Sequence, residues 1–180
     1  MKVWSKTFIL FHWSLVFIIL SSFISIKAGF DDIHFLIGYA LIIPIVIRVF
    51  LGTFGNLYEH FSYFKHLKDL KSYLKSKRSQ NYIGHNPLAL TVMGLILFDV
   101  LVIFITGILS ESFIEFQGFF VTFSLEISNS VALAVKDIHK FSFIVLLILI
   151  ALHLLGLSLS YKEEGFKTVK SIFTGRKDEK

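Results

Sequence analysis

The sequence predicts an all-α integral membrane protein, a four-transmembrane-helix bundle with short amphipathic surface helices. Three observations carry this expectation. Of the 180 residues, 54% are apolar and the mean hydropathy is +0.71, where a soluble domain of this size would carry more charge and interleave it with apolar positions. Between the charge clusters lie stretches of about twenty residues almost free of charge. At about 1.5 Å rise per residue these match a hydrocarbon layer of roughly 30 Å. Finally, Lys and Arg gather in alternate connections, which is the pattern of membrane topology and accounts for the net charge of +5 without a nucleic-acid partner.

The spans are expected at about 7–26, 33–54, 87–109 and 138–160, within a single domain covering 1–180. The first starts behind lysines and could pass for a signal peptide, but its core is too long, is bulky with Phe and Trp, and lacks a small-x-small cleavage site. It reads as a retained helix. Pro44 falls inside the second span and should kink it, because it removes a backbone donor. Pro87 suits the first turn of the third, where a missing N–H costs nothing.

Orientation follows from the cations. The connection 55–86 carries Lys65, Lys68, Lys71, Lys75, Lys77 and Arg78, and the tail 161–180 carries Lys162, Lys167, Lys170, Arg176, Lys177 and Lys180. With Lys2 and Lys6 at the start, these outnumber Lys27, Lys136 and Lys140 on the other side. Both termini are therefore expected on the cytoplasmic side of the membrane. The stretch 113–134 is rather apolar, but spanning would turn the basic tail outward. It is read as part of an external, partly amphipathic connection over 110–137. In the basic connection, Phe61, Phe64, Leu67, Leu70 and Leu74 recur at helical spacing between lysines, as in a helix lying on the membrane surface.

Composition also excludes. There is no Cys, hence no disulfide, thiolate-held cluster or covalently attached haem within this chain. No phosphate loop, nucleophile elbow or nucleotide fingerprint is present. A transporter or channel lacks support, since no inverted repeat or pair of broken helices is visible and the spans hold few acids.

The chemistry lies in the histidines. His139 and His153 share the last span, and fourteen residues of helix advance about 21 Å and return to nearly the same face. His12 lies near the inner end of the first span and His34 in the first turn of the second. His12 and His153 thus share an inner depth, and His34 and His139 an outer one. Two neutral imidazoles facing each other from separate helices are what a b-type haem requires as axial ligands. Two haem b groups are the expectation. One haem, or hydrogen-bonded packing histidines, are the alternatives, and zinc is disfavoured because no carboxylate joins either pair. Gly38 and Gly156, one turn beyond His34 and His153, can leave room for a flat macrocycle or serve ordinary helix packing.

In this order and spacing the chain resembles the prokaryotic cytochrome b561 family, which includes the b-type cytochrome subunits of nickel–iron hydrogenases. The resemblance covers nearly the whole length. It rests on His12-Trp13, HFLIGYALIIPIVIRVFLGTFG from His34 to Gly55, GHNPLAL from Gly84 to Leu90, Thr106-Gly107, the His139/His153 pair and EEGFKTVKSIFTGRK from Glu163 to Lys177. It implies a four-helix bundle with haem b on His12, His34, His139 and His153, passing electrons between a quinone pool, ubiquinone or menaquinone, and another redox partner. Arg48 matches an arginine recurring in the family's second helix, to pair with a haem propionate or to snorkel to the inner interface.

Asp99 departs from the family pattern. A carboxyl near the middle of the third span must be protonated or paired, so it can bond a ligand histidine, relay a proton or simply tie two helices. His85, in GHNP, can approach a quinone head group or a propionate, or belong to a helix-initiating turn. His60 and His66 are expected to be solvated. The expected function is transmembrane electron transfer, quinol-linked. The rival is a non-catalytic haem anchor for a periplasmic or membrane redox subunit, and a homo-oligomer is a further expectation for partners.

Overall fold

The computed structural model describes residues 1–75 and 85–177, the side chains of Glu163 and Glu164 apart. Lys77, Arg78, Gly84 and Lys180, used above for topology and resemblance, lie outside the described residues. Within them the protein is helical without strands, and Lys2 and Arg176 form an isolated antiparallel bridge. The elements are α1 (Lys6–Lys27), α2 (Asp31–Ala40), α3 (Ile42–Phe54), a 3₁₀ helix (Phe61–Asp69), α4 (Leu70–Lys75), α5 (Pro87–Ile114), α6 (Val121–Ser124), α7 (Asn129–Glu164) and α8 (Lys167–Thr174). Four stretches are long and apolar enough to cross a membrane: Lys6–Lys27, Asp31–Phe54, Pro87–Ile114 and Asn129–Lys162. Their surfaces carry exposed Phe17, Ile24, Leu36, Phe98, Phe141 and Leu155, the outward apolar coat that lipid covers.

The second span breaks where the proline requires it. Pro44 cannot donate to the carbonyl of Ala40, and the helix is interrupted at Leu41. The Leu41 N–H bonds Gly38 O instead, at 3.1 Å, and the next turn is loose, with Ile45 N–H to Leu41 O at 3.3 Å. At the third span Asn86 caps the helix through its side chain, Oδ1 accepting from Ala89 N–H at 2.8 Å, with Pro87 as the first helical residue.

Two spans outrun their apolar stretches. Helix α5 continues to Ile114 and α7 begins at Asn129, which leaves 115–128 as the connection. Polar residues at the end of α5 find partners that the sequence does not announce. Tyr39 donates its hydroxyl to Glu111, and Phe120 N–H donates to Ser112 Oγ at 3.2 Å.

The chain divides into two compact units, one of residues 1–13, 46–96 and 149–180, the other of residues 14–45 and 97–148. Each takes a portion of all four spans. The first is closed by the chain ends. Val3 and Trp4 N–H both bond Gly175 O, at 2.8 and 3.0 Å, and the Met1 ammonium bonds Lys177 O at 2.8 Å. Trp4 packs on Phe8, and its Nε1 donates to Ser171 Oγ at 3.3 Å. Glu59, almost wholly buried, accepts from Ser5 N–H at 2.5 Å and Asn56 N–H at 3.3 Å. The amphipathic stretch lies on this unit with Tyr63 and Tyr73 buried, while Leu67 and Leu74 stay exposed beside Lys65, Lys68 and Lys71. Phe61 and Phe64 rest on Gly52 and Gly94, where a β-carbon would run into the Phe61 ring and come within 3.2 Å of the Phe64 ring. The second unit is built around Leu15, Leu41, Val100 and Leu146, with Phe23 stacked on Phe143 at 5.4 Å.

Candidate functional site

Each unit contains one of the histidine pairs. In the second, α2 presents His34 and α7 presents His139, with ring centroids 6.3 Å apart and planes at 83°. His34 Nδ1 bonds Ser22 O and Ser22 Oγ on α1, each at 3.0 Å. His139 Nδ1 bonds Ile103 O at 3.1 Å and Thr106 Oγ1 at 3.2 Å on α5. A carbonyl only accepts, so Nδ1 carries the proton in both rings and Nε2 keeps its lone pair. The Thr106 hydroxyl donates to Val102 O at 2.7 Å, which leaves its oxygen to accept from His139. Gly107 lets the ring come close: a β-carbon there would stand 3.0 Å from His139 Cε1.

This arrangement suits an axially ligated metal. Two nitrogen–metal bonds of about 2 Å plus the half-width of each imidazole amount to about 6 Å between ring centres, close to the separation found. The other ring nitrogen, Nδ1, is anchored, as metal-binding imidazoles require. Among the described residues no cluster of three or more His, Cys, Asp or Glu gathers. A pair of protein ligands falls short of zinc's four and fits a porphyrin, which brings four equatorial nitrogens of its own.

In the first unit, His12 and His153 are near enough to interact electrostatically. His12 Nδ1 is buried without a hydrogen-bond partner, and its ring meets Trp13 edge-on at 5.2 Å. Gly38 and Gly156 both face open space, with nothing within 4 Å of where a β-carbon would stand.

The remaining candidates serve different ends. Arg48 is buried: Nη1 donates to Glu59 O at 3.2 Å, and the guanidinium lies over Phe61 at 4.7 Å. It does not reach into solvent. His85 packs its ring on Trp4 at 4.6 Å. Burial, then its neighbours His153, Lys177, Arg48 and His12, push its pKa well below the usual histidine value. Asp99 is buried, and its Oδ2 has no hydrogen-bond partner among the described residues; neither oxygen is on a histidine. His60 caps the 3₁₀ helix through Nδ1, which accepts from Ser62 N–H at 3.0 Å, and His66 pairs with Asp69 at 3.3 Å.

Sequence reasoning did not find Ser22, or a role for Thr106 and Gly107. A Thr-Gly step in an apolar helix hints at close approach, but nothing in the spacing says that a histidine 33 residues onward is what approaches.

A helical membrane protein whose spans carry half-buried imidazole pairs of this kind is a membrane cytochrome of the b type, an electron-transfer protein. The comparison with known families makes the assignment specific. The chain belongs to the prokaryotic cytochrome b561 family, whose family model matches residues 3–175, nearly the whole length. No curated protein and no solved structure shows significant similarity to it.

Proposed function

We propose that the protein is a di-haem cytochrome b that carries electrons across the bacterial inner membrane between the quinone pool and a redox partner. His34 and His139 hold one haem, and His12 and His153 the other. The observation that carries this reading is the His34–His139 pair, two facing rings with both Nδ1 protons committed to acceptors and both Nε2 atoms left for a metal. Bound haem supplies the one-electron couple. The chain's own part is to fix the tautomers, hold the rings apart at ligating distance and exclude water from the pair.

Both termini face the cytoplasm in this reading. The pairing of Met1 with Lys177 and of Val3 with Gly175 supports a common side for the two ends, and the weight of Lys and Arg in the basic connection and tail supports the cytoplasmic one. Gly38 and Gly156 give room to the macrocycles, and Arg48 and His85 lie where a propionate of the His12–His153 haem can be met.

The test is haem per polypeptide in the purified protein and in single His→Ala variants. Two haems are expected in the wild type. His34→Ala and His139→Ala should lose the same one, and His12→Ala and His153→Ala the other. Loss of one common haem in His12→Ala and His34→Ala would overturn the pairing.

A second reading, a haem-bearing anchor for a larger oxidoreductase, draws on the connection 115–128. Phe119 and Leu125 there are 82% and 86% exposed, apolar surface that a partner subunit can cover. Copurification of a redox subunit whose release follows Phe119→Asp and Leu125→Asp would favour it.

A further inference from the structure

Closing the chain ends sets like charges against each other. Lys2 and Arg176 are partners in the antiparallel bridge, and both are exposed. Like charges directly opposite across such a bridge repel and weaken it. Acids to offset them are few. Among the described side chains the first unit holds Glu59 and Asp69, and Asp69 is paired with His66. Glu59 is 1% exposed, its oxygens accept from Ser5 and Asn56 N–H, and Arg48 Nη1 bonds its carbonyl at 3.2 Å. Among the described residues no carboxylate pairs with Lys2 or Arg176.

Beside Lys2 is a groove of about 360 Å³, whose lining includes Lys2, Thr7, Phe50 and Phe54 as well as the buried Glu59. It lies where two spans end: Lys6–Lys27 begins there, and Asp31–Phe54 finishes there. In a bilayer that is the depth of the lipid phosphates, just outside the hydrocarbon. Phe50 and Phe54 are 55% and 77% exposed and pack on each other at 5.3 Å, an apolar flank of the kind that acyl chains cover.

A lysine ammonium binds phosphate as a point charge, and the exposed Thr7 adds a hydroxyl donor. The aromatic flank favours a phosphate that carries acyl chains over a free one. The uncompensated Lys2 and Arg176 favour a head group with net negative charge, because a zwitterionic one brings its own cation.

We propose that this groove binds an anionic phospholipid, its phosphate against the Lys2 ammonium and an acyl chain along Phe50 and Phe54. The bound anion offsets the repulsion between Lys2 and Arg176 and so fastens the closure of the chain ends. A ligand held by the closed form alone stabilises it by mass action.

The experiment is thermal unfolding of the full chain in nanodiscs of phosphatidylcholine, alone or mixed with phosphatidylglycerol, followed by tryptophan fluorescence. The two tryptophans, Trp4 and Trp13, both belong to the first unit. Phosphatidylglycerol should raise the unfolding temperature of the wild type. Lys2→Gln should lose most of that rise, and Lys2→Arg should keep it. Lys71→Gln removes the same charge from the exposed basic stretch and should also keep it. Lys2→Glu sets opposite charges across the bridge, so it should melt above the wild type in phosphatidylcholine and gain nothing from phosphatidylglycerol. Equal losses in Lys2→Gln and Lys71→Gln would reduce the effect to general surface charge and overturn the site. So would the absence of a rise in the wild type, or a rise of the same size when inorganic phosphate is added to phosphatidylcholine discs. None of these outcomes bears on the di-haem reading, which haem content tests separately.

Discussion

Gly107 on α5 lies against the ring of His139 on α7, so close that a β-carbon at 107 would stand 3.0 Å from His139 Cε1. Alanine there requires the ring to give by a few tenths of an ångström. Valine adds two branches in the same space and must displace it, which breaks the bonds to Ile103 and Thr106 and the alignment with His34. Gly107→Val should therefore halve the haem per polypeptide, while Gly107→Ala retains both haems with the His34–His139 one held less firmly. Haem extraction and the reduced-minus-oxidised spectrum check this. Full haem content in Gly107→Val would mean that the ring is not held where the ligand must be.

The closure of the chain ends is as specific. Gly175 has a φ of +71°, and a β-carbon on it would run into Trp4 O. Both the left-handed backbone and the contact exclude other residues. Gly175→Val should destabilise the first unit by about 2 kcal/mol or more, lowering the melting temperature. It should also speed trypsin cleavage at Lys2, Lys6 and Arg176. In sealed inside-out vesicles those cuts should occur, and in right-side-out vesicles they should not.

How far this could be read beforehand depends on where the partners lie. The four spans, the break before Pro44 and the grouping of the histidines rest on apolar run length, a missing N–H and helical rise, all local properties of the chain. The ends of the third and fourth spans did not follow. Glu111 and Ser112 look like loop residues until Tyr39 and the Phe120 N–H are brought to them by distant segments. The Phe and Leu spacing of the amphipathic stretch reads as a helix lying on the membrane surface, but it does not say that Tyr63 and Tyr73 turn inward while Leu67 and Leu74 stay exposed. Ser22 shows the same limit at the site, because its carbonyl is a ligand support only once His34 stands beside it.

Asp99 on α5 and Ser142 on α7 are both buried, and Asp99 Oδ2 is left without a partner. Ser142→Ala removes a polar neighbour from a carboxyl already partly unpaired and should cost up to about 1–3 kcal/mol, the desolvation cost of an unpaired group. Asp99→Leu removes the unpaired carboxyl as well and should be neutral or stabilising. The double variant Asp99→Leu/Ser142→Ala should then be more stable than Ser142→Ala alone. Thermal melts read by haem absorbance decide this. A destabilised Asp99→Leu with normal haem content would instead point to a charge role for the carboxyl.

His85 gives a pH dependence whose sign follows from its setting. Packed on Trp4 and held among burial and cationic neighbours, its folded-state pKa lies well below the ordinary 6.5. Unfolded, the ring takes up a proton near pH 6.5; folded, it stays neutral to lower pH. The unfolded state therefore binds more protons as pH falls below about 6.5, and acidification weakens the fold down to the folded-state pKa. The contribution is fully present above about pH 6.5, where the ring is neutral in both states. One such group adds a slope of at most about 1.4 kcal/mol per pH unit. His85→Phe keeps an aromatic ring against Trp4 and removes the titration, so below pH 6.5 it should lose less stability than the wild type for each unit of acidification. Melting temperatures of the two proteins between pH 7.5 and 5 measure the difference, and parallel curves would show that His85 titrates alike in both states.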